Sequence, residues 1–444
     1  MERREFFRLT ALTTLSATLL PGCASSGSSP STSGGSAPRG LSPDASTPTV
    51  FSGQKTLLGI DVLEADGFRS LQGQRVGLVT HKAGVNGRGQ RTVDVLARAP
   101  GVKLTKLFGP EHGIDGNAAA EVSVKNARDA RTGLPIYSLY GATRRPTPEM
   151  LEGLDVIVID FQDIGSRSYT YISCMRYVME ACFSLERPVR VVVLDRPNPL
   201  GGEKVDGPYL ERGVKSYVGA YEMPYVHGLT IGEIARWAVA TPGVLEISEA
   251  QRKRGSLEVV AMRNWNRSLL WNQTGLNWVP TSPRIPNPQA ALGYAMVGLG
   301  CIIGDFSHTY RDQMHFRFIR YGKRKSEDLV AALGSSVPGL KLEPKVMPDG
   351  TQGVYTAVSN WSRFKPTAIS LQMMKQACLW DSTNPFAQAS HLERDLFNKH
   401  VGSPNFLNEL RTQGARIDLQ RWMTRWAGDA EAFRARTSPY RLYS

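Results

Sequence analysis

The chain has 444 residues, 53 basic against 40 acidic, for a formal net charge of +13, and 41% hydrophobic residues. That hydrophobic share excludes a wholly disordered chain, and the length leaves room for two domains by the usual rule of roughly 100–200 residues each. The positive excess suits an anionic partner such as a cell-wall polymer or a membrane face, but the basic residues are dispersed. Their one cluster, Arg252-Lys253-Arg254, reads as a solvated face, so no nucleic-acid partner is expected.

In chain order, the first element is an export signal. Arg3 and Arg4 precede an apolar run, Leu9 to Leu20, which stops at Pro21-Gly22-Cys23. The run is too short to span a bilayer. Arg3-Arg4 with Phe6 and Phe7 resembles a twin-arginine signal, and Leu20-Pro21-Gly22-Cys23 resembles a lipoprotein box with Cys23 as the lipidated residue. An ordinary signal peptide with a chance cysteine is the alternative. The expectation is an exported lipoprotein held to a membrane by its anchor, periplasmic or at the cell surface. Residues 24–50 are almost all Ser, Gly, Pro, Thr and Ala and read as a disordered tether.

From 51 to 282, short β-branched runs alternate with helical patterns, the signature of βαβ units around a parallel sheet. The expected strands are Arg75–Val79, Lys103–Phe108, Asp155–Ile159 and Val189–Leu194, with helices over Ser168–Leu185 and Ile231–Ala240. Thr230 and Glu233 form a capping-box pattern at the start of the second helix. A proline-dense stretch, Pro280 to Pro288, marks the domain boundary, and 283–444 forms the second domain, with helical patterns from about Ser390. Cys174, Cys182, Cys301 and Cys378 lack the paired spacing of a zinc or redox motif; the compartment permits a disulfide among them.

In a parallel sheet, ligands bind beyond the carboxyl ends of the strands. Each expected strand ends in a polar cluster: Thr80-His81-Lys82, then Gly109-Pro110-Glu111-His112-Gly113, then Asp160-Phe161-Gln162-Asp163-Ile164-Gly165-Ser166-Arg167, then Asp195-Arg196-Pro197-Asn198-Pro199. On one edge of one sheet they make a common pocket. The dinucleotide fingerprint, P-loop and nucleophile elbow are absent, so no cofactor is expected. His81, His112 and His227 lack metal-site spacing, and no metal is expected either. Carboxylates, imidazoles, an arginine and tyrosines suit glycoside hydrolysis, in which one carboxyl protonates the leaving oxygen. For Asp163 with Arg167 the competing reading is a helix-start ion pair; for Asp195, a turn support; for Tyr169 and Tyr171, at least one core residue.

The strings Leu107-Phe108-Gly109-Pro110-Glu111-His112-Gly113 and Thr132-Gly133-Leu134-Pro135-Ile136-Tyr137-Ser138-Leu139-Tyr140-Gly141 resemble the exo-acting β-N-acetylmuramidases, long catalogued as a domain of unknown function. So do Asp160 to Gly165 with Arg167, Tyr169 and Tyr171, Leu194 to Pro199 with Gly201-Gly202, and His227 to Glu233. The resemblance implies a Rossmann-like parallel α/β domain followed by a smaller α+β domain. It implies a cleft between them that removes N-acetylmuramic acid from the non-reducing end of peptidoglycan fragments. It makes Glu111 the acid/base carboxyl, with His112 and Asp163 beside it. His81, Asp160, Gln162, Arg167, Tyr169, Tyr171, Asp195, Arg196, Asn198 and His227 become pocket or substrate-orienting residues. The second half departs: Ile303 stands where the family carries a glutamate, and its Gly-Arg-Gly-Thr run is missing. Asp305, His308 and Arg311 replace the lost groups, or the segment is a rearranged core loop. A divergent hydrolase and a catalytically silent saccharide-binding lipoprotein are both compatible with that departure.

Overall fold

The structure, a computed structural model, describes residues 53–119, 122–311, 313–334 and 337–444. The export signal, Cys23 and the tether lie outside the described residues.

A seven-stranded sheet forms the first layer. Its strands are β1 (Arg75–Thr80), β2 (Lys103–Gly109), β3 (Ala127–Arg128), β4 (Pro135–Ser138), β5 (Val156–Asp160) and β6 (Arg190–Leu194); after a hairpin of β7 (Asp206–Tyr209) and β8 (Pro224–Val226) comes β9 (Leu257–Val260). The order is β3-β4-β2-β1-β5-β6-β9, parallel except for the β3-β4 pair. The Val-Ile-Val-Ile-Asp of β5 is buried throughout, as a strand covered on both faces must be. The four expected strands match to within a residue at each end.

The expected helix over Ser168–Leu185 begins later, at Tyr171, and runs to Ser184; 12 of its 14 residues are buried, so it is packed on all sides. The helix Ile231–Ala240 starts with the expected capping box of Thr230 and Glu233. Pro288, expected to interrupt helix, instead opens one, Pro288–Val297, behind the Asn287 cap; proline suits that first position because its missing N–H would have no partner there.

The second domain carries a four-stranded antiparallel sheet, β10 (Phe306–Ser307), β11 (Phe318–Tyr321), β12 (Leu340–Val346) and β13 (Gln352–Val358), in the order β10-β11-β13-β12. Helices follow from Ala368–Trp380 to Leu419–Thr437. One apolar core runs from the face of the large sheet carrying helix Tyr171–Ser184 into this domain, and a second core lies on the sheet's other face. Cys174, Cys182, Cys301 and Cys378 are free thiols, the first two buried. Among the described residues no helix is long and apolar enough to cross a membrane.

Two devices join the domains. Arg167 is fully buried and donates to four carbonyls: Nη1 to Pro208 and Met223 (2.8 Å each), Nη2 to His400 (2.8 Å) and Val401 (2.9 Å). Burial lowers its pKa to about 10, so it keeps its charge at neutral pH. The C-terminal segment returns to the large sheet, where Tyr443 Oη donates to Asp195 Oδ2 (2.6 Å) and Leu442 N to Glu233 Oε1 (2.9 Å).

Candidate active site

From β1 the chain passes to β2 and β4 on one side, then returns to β5 on the other. The connections therefore diverge above the β1-β5 pair and open a crevice there. His81 leaves β1 and its Nε2 accepts from Gln162 N at the exit of β5 (3.0 Å), which puts the proton of the neutral ring on Nδ1. The imidazole packs edge-on against Tyr171 at 4.5 Å. Burial, then the charges of Arg196 and His112, hold its pKa well below the ordinary 6.5, so the ring is neutral.

Glu111 lies in the turn after β2, 7% exposed. Gly113 N donates to Pro110 O (2.9 Å), and His112 at φ 70° and Gly113 at φ 75° bend the chain through the left-handed region. His112 Nδ1 sits 2.8 Å from Ala118 O; a carbonyl only accepts, so Nδ1 is the donor. The Thr170 hydroxyl donates to Glu111 Oε2 at 2.7 Å. Thr170 is the residue ahead of helix Tyr171–Ser184, so the Glu111 carboxyl is held at the start of that helix.

Asp163 leaves β5. Its Oδ2 accepts from Gly165 N (2.7 Å), an Asx-turn, and lies 3.4 Å from His227 Nε2. His227 Nδ1 accepts from Leu229 N (3.2 Å), so the neutral ring turns its proton toward Asp163. Gly165 has φ 82°, and a Cβ there would come within 2.4 Å of Asn198 Oδ1, so no larger residue fits the turn. Gln162 Nε2 donates to Asp163 O (2.9 Å) and Pro197 O (2.8 Å), which turns Oε1 the other way. Gln162 Oε1, Asp163 Oδ1 and His81 Nδ1 are buried without a hydrogen bond. Each such atom costs about 1–3 kcal/mol, so three at one strand edge call for an explanation that packing does not supply.

The stretch at the domain boundary and the helix after it pack over this edge. Tyr169 Oη donates to Thr281 Oγ1 (2.8 Å) and Tyr171 Oη to Thr281 O (2.6 Å), while Tyr294 shares a hydrogen bond of 2.8 Å with Ser168 Oγ. Burial above all, with the nearby Glu111 and Asp163 charges adding to it, pushes the Tyr294 phenol up to about 12. Sequence reasoning missed Thr170, Thr281 and Tyr294. Thr281 sat in the proline-dense stretch read as a boundary, and no motif marked Tyr294.

Several sequence candidates occupy other places. Arg167, read as a pocket residue with an Asp163 ion pair as its alternative, makes no such pair and is the four-carbonyl strut described above. Asp160 and Arg196 form a buried pair (Nε to Oδ1, 2.5 Å) that also ties Thr92 and Val85 O. Asp195 accepts from Arg196 N (3.0 Å), Gly232 N (2.8 Å), Thr230 Oγ1 (2.7 Å) and Tyr443 Oη (2.6 Å), so its oxygens are spent on two turns and the tail. Burial foremost pushes the Asp195 carboxyl up to about 6. Asn198 bridges Leu229 O and Leu200 N at 3.0 Å each. Tyr169 and Tyr171 are both buried, at 8% and 1% exposure. Glu111, His112, Asp163, His81, Gln162, Tyr169 and His227 are thus brought together, and the others support them from behind.

In the departing segment, Ile303 is a core residue at 5% exposure, and His308 stacks on Phe316 at 4.2 Å. Arg311 is exposed and pairs with Asp349 (2.8 Å), a surface contact. Among the described residues no group of three His, Cys, Asp or Glu side chains is arranged to hold a metal ion.

Comparison with known proteins finds relatives for both domains. Residues 76–289 match the N-terminal model, and 313–443 the C-terminal model, of the exo-β-N-acetylmuramidase NamZ family. The departure read in the second half therefore narrows to the stretch between the two models. The chain is similar to the peptidoglycan β-N-acetylmuramidase NamZ of Bacillus subtilis, 43% identical over 258 residues, which span 58% of this chain and 59% of that protein's length. A crystal structure of a DUF1343 family protein from Bacteroides fragilis superposes with TM-score 0.78 at 35% identity, covering 88% of this chain and 99% of that one. A second DUF1343 protein from the same organism, 23% identical with TM-score 0.60 and the same coverage, shares the fold.

Proposed function

The chain belongs to the exo-β-N-acetylmuramidase family, and from that premise we propose that it is a glycoside hydrolase releasing N-acetylmuramic acid from the non-reducing end of peptidoglycan fragments. The observation that carries this reading is the pair of carboxyls at the crevice. Glu111 is held by the Thr170 hydroxyl at a helix start, and Asp163 has one oxygen fixed in a turn while the other is buried without a hydrogen bond.

In the proposed reaction, Glu111 gives its proton to the glycosidic oxygen as the bond from that oxygen to the anomeric carbon breaks. The leaving sugar departs as an alcohol, and a water oxygen bonds to the anomeric carbon. Asp163 faces the positive charge that develops there and takes the water's proton, with the His227 N–H steadying its other oxygen. Sugar hydroxyls and the acetamido group satisfy Gln162 Oε1 and His81 Nδ1, so binding energy comes partly from pairing buried atoms. The test is incubation of the purified chain with N-acetylmuramyl-N-acetylglucosamine and with digested peptidoglycan. Free N-acetylmuramic acid is expected in both. Binding without release would leave a saccharide-binding protein and end the hydrolase reading.

The same proposal places the chain outside the cytoplasm, anchored through Cys23, on the strength of the signal at its start. Cys23→Ser is expected to move the protein from the membrane fraction to the soluble one. Unchanged membrane association removes the anchor.

A further inference from the structure

β4 pairs in parallel with β2, and Leu139 N donates to Gly109 O (2.8 Å), so the chain leaving β4 runs beside the turn that carries Glu111. That exit reads Tyr140-Gly141-Ala142-Thr143-Arg144-Arg145, and its two arginines go opposite ways. Arg145 turns inward to the fully buried Glu180. Arg144 stays exposed and lies over two rings, 4.8 Å from the Tyr140 centroid and 4.5 Å from that of Tyr217.

A guanidinium held over two aromatic faces has already lost much of its side-chain freedom, while its N–H edge stays available to a ligand. Among the described residues no carboxylate lies within ion-pair distance of Arg144, so nothing there uses that edge. Both tyrosines are buried, at 8% and 7% exposure, and form a fixed floor under the arginine. The Tyr217 phenol feels the charges of both Glu111 and Arg144, so the stacked arginine and the acid lie around the same ring.

We propose that Arg144 is a specificity-determining residue that binds the lactyl carboxylate of N-acetylmuramic acid through the edge of its guanidinium. This rests on the hydrolase reading for its substrate and adds the group that tells muramic acid from glucosamine. The two sugars differ by that ether-linked acid, which a planar fork of donors can take in a bidentate pair. N-acetylglucosamine offers no partner there.

The experiment measures kcat/KM for the 4-nitrophenyl β-glycosides of N-acetylmuramic acid and N-acetylglucosamine, in the parent, Arg144→Ala and Arg144→Lys. The ratio of the two is expected to fall by about 30-fold in the alanine variant, chiefly through KM for the muramide, and to recover in part with lysine, which keeps charge but not the fork. An equal loss on both glycosides, or an unchanged ratio, overturns the assignment. Calorimetric binding of free N-acetylmuramic acid keeps the two readings apart. A parent that binds it at least tenfold tighter than Arg144→Ala, without turning over either glycoside, retains Arg144 and sinks the hydrolase. Equal affinities, or no binding in the parent, overturn Arg144 itself. Matching melting curves for parent and variants exclude a folding defect as the cause.

Discussion

Replacing Glu111 by glutamine tests the acid role with little disturbance of the fold. The amide oxygen can still accept from the Thr170 hydroxyl, now 2.7 Å from Oε2. The side chain keeps its shape and that acceptor, so the variant should melt close to the parent. The catalytic effect depends on the leaving group. In the natural disaccharide the departing sugar is an alcohol that must be protonated, and removal of a positioned acid costs about 10²- to 10⁴-fold, or roughly 3–5 kcal/mol of barrier. A 4-nitrophenyl glycoside releases a stable phenolate that needs no proton, so its loss should stay under about tenfold. The assay compares kcat/KM on both substrates for parent and Glu111→Gln, with free N-acetylmuramic acid as product. The acid role is refuted by equal losses on both substrates, or by disaccharide turnover within about threefold of the parent.

Arg167→Ala should destabilise the protein by about 3–5 kcal/mol in urea unfolding, since it strips donors from four carbonyls at the join of the domains. A loss under about 1 kcal/mol would mean water takes over those carbonyls. For pH, the His81 ring is neutral in the fold because its pKa lies well below the unfolded value of 6.5. Its contribution is therefore complete above pH 6.5 and is lost as acid drives a proton onto a ring the fold keeps uncharged. His81→Gln, which can still accept from Gln162 N, should flatten the fall in urea midpoint between pH 7 and 5; identical pH dependence in parent and variant would refute this.

The parallel core was legible because β5 and β6 are unbroken β-branched runs, a pattern forced on strands buried on both faces. The second sheet was not. β12 contains Pro344, which argues against a central strand; the fold tolerates it because β12 is an edge, where a missing N–H breaks no ladder. β4 and β9 have four residues each and alternate or stay half-buried, leaving too little pattern to read. At the site, the strand exits named the right loops but not which side chains face the crevice. Asp163 keeps one oxygen without a hydrogen bond, whereas Asp195 and Arg167, equally polar in sequence, spend theirs in the interior. The difference lies in partners from far along the chain, Tyr443 for Asp195 and His400 with Val401 for Arg167, which no local spacing announces.

The returning C-terminal segment also fixes an order of events during synthesis. Asp195 and Glu233 are made early, yet they wait for Tyr443 and Leu442, 248 and 209 residues further on. Until those arrive, Asp195, whose proton affinity is raised by burial first and by the neighbouring Glu233 as well, sits at the sheet edge with only part of its final donors. Joining these ends closes a very long loop, whose entropy is lost before its bonds form. A tag fused directly after Ser444 would load the closing segment, whose Ser444 carbonyl accepts from Arg267 N at 2.9 Å.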